Sequence, residues 1–157
     1  MLAVDAVDPM DVLSGRYVSV PLKIRNIDLD ATSHAERIPP FGETVFVRLE
    51  DHQGVFEAVE ISSEMLNRQG APWARARVST RSEISDASRW IQLDFGVDRF
   101  FIPETGNDPS FARRPSGERV EIRVAARVAP DGRIVIEDLL IDGVPYAQWN
   151  AAQPAKK

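Results

Sequence analysis

A chain of 157 residues with 43% apolar and 27% charged side chains has the balance of an ordinary globular domain and is long enough to bury a core. Its formal charge of -5 argues against a nucleic-acid binder, which presents a basic face. The lack of cysteine excludes disulfides, thiolate nucleophiles and Cys-ligated metals, and two histidines are too few for a multi-His centre, so no cofactor is expected.

In chain order, Met1-Leu2-Ala3-Val4-Asp5 lacks the basic and apolar regions of a signal peptide, and no later stretch is long and apolar enough to span a bilayer as a helix. Asp8-Pro9-Met10-Asp11-Val12-Leu13-Ser14-Gly15 predicts a short helical turn. Asp8 caps it, Pro9 suits its first position and Gly15 stops it. A strand follows over residues 17–25, and Pro21 places it at an edge or bulge because it has no N–H to donate. Residues 26–42, with Pro39-Pro40, read as a polar loop.

Val45, Val47 and Leu49 alternate in one strand, and Val55, Val59 and Ile61 share a face in the next. Asp51-His52-Gln53-Gly54 reads as the hairpin between them. Residues 62–70 predict a short helical turn. Residues 73–80 alternate Ala74, Ala76 and Val78 against Trp73, Arg75 and Arg77. Ile91, Leu93 and Phe95 point inward from a further strand. The apolar cluster Phe100-Phe101-Ile102 ends at Pro103, and residues 104–114 suit a short helix. Val120, Ile122, Val124, Ala126 and Val128 share one face, Pro130-Asp131-Gly132 makes a turn, and a return strand over residues 133–141 meets Asp138 out of phase, predicting a bulge. The expected fold is therefore all-β, a mainly antiparallel sandwich or partly open barrel with one or two short helical turns. The expected division is a single β-rich domain over residues 1–146 and a flexible C-terminal tail over residues 147–157.

Few residues suggest chemistry. His52 sits in a hairpin tip and His34 in a polar loop, and neither has the neighbours of a metal site. Gly15, Gly42 and Gly54 are isolated, so there is no phosphate-binding loop. Ser14 with Lys23 lacks the constellation of an activated nucleophile. Asp28 with Asp30, Glu50 with Asp51 and Asp94 with Asp98 read as solvated surface carboxylates. Arg75 and Arg77, in phase with Trp73, suit an anionic or polar ligand, because guanidinium matches carboxylate and phosphate. An exposed strand face carrying solubilising charge is the plainer reading.

Asp8-Pro9-Met10-Asp11-Val12-Leu13-Ser14-Gly15-Arg16-Tyr17-Val18 and the continuation Ser19-Val20-Pro21-Leu22 resemble the signature Gly-Asp-Tyr-x-x-Leu-x-Tyr of the bacterial GDYXXLXY family. Ala76-Arg77-Val78, the segment from Leu93 to Glu104, and the hairpin from Val120 to Tyr146 agree with that family in the same order. The signature Asp is replaced by Arg16, its Leu by Val20 and its last Tyr by Leu22. The family has no established activity. The resemblance implies a membrane-anchored protein with one N-terminal transmembrane segment, an extracytoplasmic domain in the cell envelope and a multi-span membrane protein as partner. Without such an anchor, a cytoplasmic location is expected.

Three readings of function follow. The first is a non-enzymatic, membrane-tethered, partner-binding domain. The second is a small-ligand or polysaccharide-binding module with Trp73, Arg75, Arg77 and Trp90 in a groove. The third is a hydrolase using carboxylates near Asp98 and Glu104. The candidate binding residues are Tyr17, Trp73, Arg75, Arg77, Trp90, Asp98 and Glu104, with no catalytic or metal-ligating residue assigned.

Overall fold

The structure is a computed structural model, and it describes residues 1–3, 17–29, 32, 39–65, 70–84 and 88–153. The expected helical turn at residues 8–15 lies outside the described residues, as do His34 and residues 66–69 of the expected turn at 62–70. The strands are β1 (Leu2–Ala3), β2 (Tyr17–Ser19), β3 (Asn26–Asp28), β4 (Thr44–His52), β5 (Val55–Ser62), β6 (Trp73–Ile84), β7 (Ser88–Asp94), β8 (Arg99–Phe101), β9 (Ile122–Val128), β10 (Ile134–Ile141) and β11 (Val144–Pro145). Helix α1 (Tyr146–Ala151) follows.

All pairings between these strands are antiparallel. A five-stranded sheet runs β3-β7-β6-β4-β5, a four-stranded sheet runs β1-β9-β10-β11, and β2 and β8 form a ribbon. The period of two sends Val45, Val47, Ala74, Val78, Ile91 and Leu93 to one face of the larger sheet. There they join Leu2, Val124, Leu139 and Ile141 from the smaller sheet, and Val18 from the ribbon, in one buried cluster. Each Val, Leu or Ile among them contributes about 1.5–3 kcal/mol by leaving water. The architecture is an all-β sandwich, and no sheet closes into a barrel among the described residues.

Local chemistry explains where strands begin and end. The Gln53-Gly54 turn has φ values of 57° and 83°, the left-handed pair of a type I′ hairpin whose twist matches its strands. The strand expected over residues 17–25 instead stops at Ser19. Pro21 follows, a 3-10 turn forms at Lys23–Arg25, and Asn26–Asp28 then pair with β7 as an edge strand inside the segment expected to be loop. Residues 104–114 hold a single 3-10 turn, Pro109–Phe111, which the Asp108 carboxylate caps by accepting the Ser110 N–H at 2.9 Å.

Three bulges alter the face assignments. Arg48 faces Glu60 while Leu49 faces Ala58, so Val59 is skipped. Phe56, Ala58 and Ile61 therefore pack on the core in place of the expected set Val55, Val59 and Ile61. Ser79 is skipped between β6 and β7, and Glu137 between β9 and β10, directly before Asp138 where the phase break was expected. Helix α1 (Tyr146–Ala151) begins on the last residue assigned to the domain and takes in residues 147–151, the start of the segment expected as tail. Tyr146 is buried, and its hydroxyl donates to the Asn107 carbonyl at 2.9 Å.

Candidate functional site

The concave site lies at a seam. β6 pairs with β4 from Trp73 to Arg77 but with β7 only from Arg77 onward, because β7 ends at Asp94 and the chain turns away through Gly96, at φ 71°. The β9–β10 hairpin folds toward the vacated edge, where the Arg75 N–H donates to the Gly132 carbonyl at 2.7 Å. A cleft of about 630 Å³ remains between them, lined by Arg75, Arg77, Asp94, Phe95, Arg133 and Val135 among others.

The cleft has uneven electrostatics. Arg133 pairs with Asp131 at 2.6 Å. The Asp131 carboxyl is held below the ordinary aspartate range, first by the Arg133 backbone N–H, then by the Arg133 guanidinium, with a smaller contribution from Arg75. Arg75 and Arg77 are both exposed, and no carboxylate among the described residues lies within ion-pair distance of either. By contrast Arg48, Arg99, Arg114, Arg123 and Arg127 each have an acidic partner.

The other candidates lie elsewhere. Trp73 is on the same strand as Arg75 and Arg77 but is only 6% exposed, and it does not line the cleft. It stands beside Arg48, whose Nε donates to the buried Glu60 carboxylate at 2.7 Å and which also pairs with Glu50. The Trp73 Nε1 has no hydrogen-bond partner among the described residues. Trp90 is half-buried on β7 beside Asp28, again outside the cleft. Tyr17 lies on the ribbon, edge-on to Phe101 at 6.3 Å, with the Arg99 guanidinium 4.7 Å above its ring. Asp98 is exposed, 3.8 Å from the Arg99 side chain, and its carbonyl accepts the Val20 N–H at 2.8 Å. Glu104 is exposed in the loop after β8. Thus Arg75 and Arg77 come together, whereas Tyr17, Trp73, Trp90, Asp98 and Glu104 do not join them.

Sequence reasoning missed Arg133, Asp94 as a lining residue, and the Arg48–Glu60 pair. Arg133 was visible only as the residue after a turn, and its place depends on where that hairpin lands. The Arg48–Glu60 pairing depends on the Val59 bulge. A smaller apolar cavity of about 180 Å³ lies under Met1 and Leu2, against Leu49, Phe56 and Val128, and offers no polar side chain besides Arg127. Among the described residues no cluster of three or more His, Asp or Glu side chains is arranged to hold a metal.

The segments that carried the resemblance also meet. Phe100 packs edge-on against Tyr146 at 5.9 Å, Tyr146 stacks near Trp149 at 6.0 Å, and the Asn107 N–H donates to the Asn150 side chain at 2.7 Å. The loop after Pro103 is thereby fastened to α1, which gives these residues a structural task. A family model described as GDYXXLXY protein matches residues 1–139. The chain belongs to the GDYXXLXY family. No curated protein and no solved structure matches it significantly. Within the GDYXXLXY match, Tyr17 starts β2, while Gly15 and Arg16 fall outside the described residues.

Proposed function

We propose that this GDYXXLXY domain is a non-enzymatic binding module. In the full-length protein it is held in the cell envelope by an N-terminal membrane anchor, and it docks onto a multi-span membrane protein through the β6 cleft. The observation that carries the reading is the pair Arg75 and Arg77, exposed guanidiniums with no carboxylate partner among the described residues, at the edge of a concave site. Arginine is the cation best suited to this use, because its planar fork gives bidentate hydrogen bonds to an anionic group and loses less hydration than ammonium on docking. The envelope location and the class of partner rest on the resemblance to anchored family members.

The polysaccharide reading has less support, because neither Trp73 nor Trp90 lines the cleft to offer a stacking surface. The hydrolase reading has less as well, since Asp98 and Glu104 line neither cavity described above. The test is capture from native membranes with the wild-type domain and with Arg75→Glu/Arg77→Glu as bait. Wild type is expected to retain a membrane protein that the double variant loses. Equal capture by both overturns the cleft as the docking site.

A further inference from the structure

We infer that the occupant of the β6 cleft is an extended acidic peptide segment, with carboxylates at positions i and i+2 and an apolar residue beside them. This rests on the binding reading above and specifies its ligand. Arg75 and Arg77 are two residues apart on one strand face, so their Cα atoms are about 6.6–6.8 Å apart along the strand. An extended peptide repeats its same-face side chains at that same spacing. Carboxylates at i and i+2 therefore meet both guanidiniums at once, whereas carboxylates at i and i+1 point to opposite faces.

The remaining lining favours a peptide over a denser polyanion. Asp94 stands directly across from Arg77 and lines the same cleft, which repels closely spaced phosphates but can accept a peptide N–H. Phe95 and the 36%-exposed Val135 give an apolar side chain a place to dock. The backbone contributes as well. Val78 bonds toward β4, with its N–H to Glu43 and its carbonyl from Gly42, both at 2.9 Å. Antiparallel alternation then turns the backbone of Arg75 to the opposite edge, as its bond to Gly132 confirms. The Arg75 carbonyl faces that edge too, where it can accept a hydrogen bond from a peptide main chain.

The test uses fluorescein-labelled acetyl-Gly-Glu-Val-Glu-Val-Gly-amide, its isomer with adjacent glutamates (Gly-Glu-Glu-Val-Val-Gly), and inorganic tripolyphosphate as competitor, titrated against the whole chain. The alternating peptide is expected to bind, with the isomer about fivefold weaker and Arg75→Glu/Arg77→Glu weaker by about tenfold or more. Both arginines are exposed, so the variant should retain the wild-type circular dichroism. If it does not fold, Arg75→Gln/Arg77→Gln takes its place with the same direction of effect. Equal affinity for the two peptides overturns the spacing argument. Tripolyphosphate bound as tightly as the alternating peptide makes the cleft a general anion site and overturns the peptide. No binding of the peptide overturns it as well. If membrane capture still depends on Arg75 and Arg77 in that case, the docking site stands and only the peptide falls. If capture is also independent of them, both fall.

Discussion

Asp142 combines a backbone task with an electrostatic one. It sits at φ 49° beside Gly143 at φ 81°, the type I′ corner joining β10 to β11. Its carboxylate pairs with Arg114 and accepts the Glu121 N–H at 2.8 Å. The Arg114 guanidinium first, and the Glu121 N–H after it, hold the Asp142 carboxyl below the ordinary aspartate range, outweighing partial burial. A carboxyl whose folded-state pKa is lowered binds fewer protons in the folded chain than in the unfolded one. Its stabilisation is therefore complete at neutral pH and is lost as pH falls through the lowered value. Asp142→Asn keeps a side chain tolerant of positive φ but removes the charge. Urea midpoints measured from about pH 7 down to about pH 2 should show the variant less stable at neutral pH, with the gap closing below about pH 4. A gap that stays constant to the lowest pH would assign the effect of Asp142 to geometry alone.

The β9–β10 hairpin shapes the cleft, and Gly132 is the residue that lets it land. Its φ is 82°, and a Cβ there would stand 3.0 Å from both the Cβ and the backbone nitrogen of Arg75. Gly143 has nearly the same φ, 81°, with nothing within 4 Å of its would-be Cβ. Gly143→Ala should therefore cost only the left-handed strain, about 1–2 kcal/mol. Gly132→Ala should cost about 1 kcal/mol more through the forced retreat from β6, and should speed hydrogen exchange at the Arg75 amide. Equal losses in the two variants would mean that the hairpin does not bear on β6. The turn itself was legible in Pro130-Asp131-Gly132, and the inward runs of β4, β6 and β9 were legible in their alternation. What the turn touches was not, because that contact lies between residues 57 positions apart in sequence, Arg75 and Gly132. Bulges blurred the rest: one skipped residue, Val59, reversed the phase of β5 and concealed the buried Glu60 beside Arg48. Trp73 followed the alternation of Arg75 and Arg77 yet is buried, since period-two patterning reports the face of a sheet and not what covers that face.

The molecule as a whole depends on two sheets sharing one core. Leu139 and Ile141 of the smaller sheet, and Val45, Val47 and Ile91 of the larger, are all fully buried in the same cluster. If that cluster is one cooperative unit, weakening it from one sheet must destabilise both together. Leu139→Ala removes a side chain from a site with no solvent exposure and should cost about 2–5 kcal/mol. In a chain of 157 residues each kcal/mol shifts Tm by about 2–4 °C, so a drop of about 4–20 °C is expected. The transition should stay single, with the circular dichroism of the strands and the tryptophan fluorescence falling together. Trp73 on β6 and Trp90 on β7 lie in the larger sheet and Trp149 lies on α1, which packs on β10 of the smaller one, so the three tryptophans report on both sides of the core. Two separated transitions in Leu139→Ala would show that the sheets unfold independently. The walls of the cleft between β6 and the β9–β10 hairpin would then belong to separately unfolding units, because they come from different sheets. A single transition places both walls in one cooperative unit, and walls packed on one shared core can hold Arg75 and Arg77 near Arg133 before any ligand arrives, which lowers the ordering cost of binding.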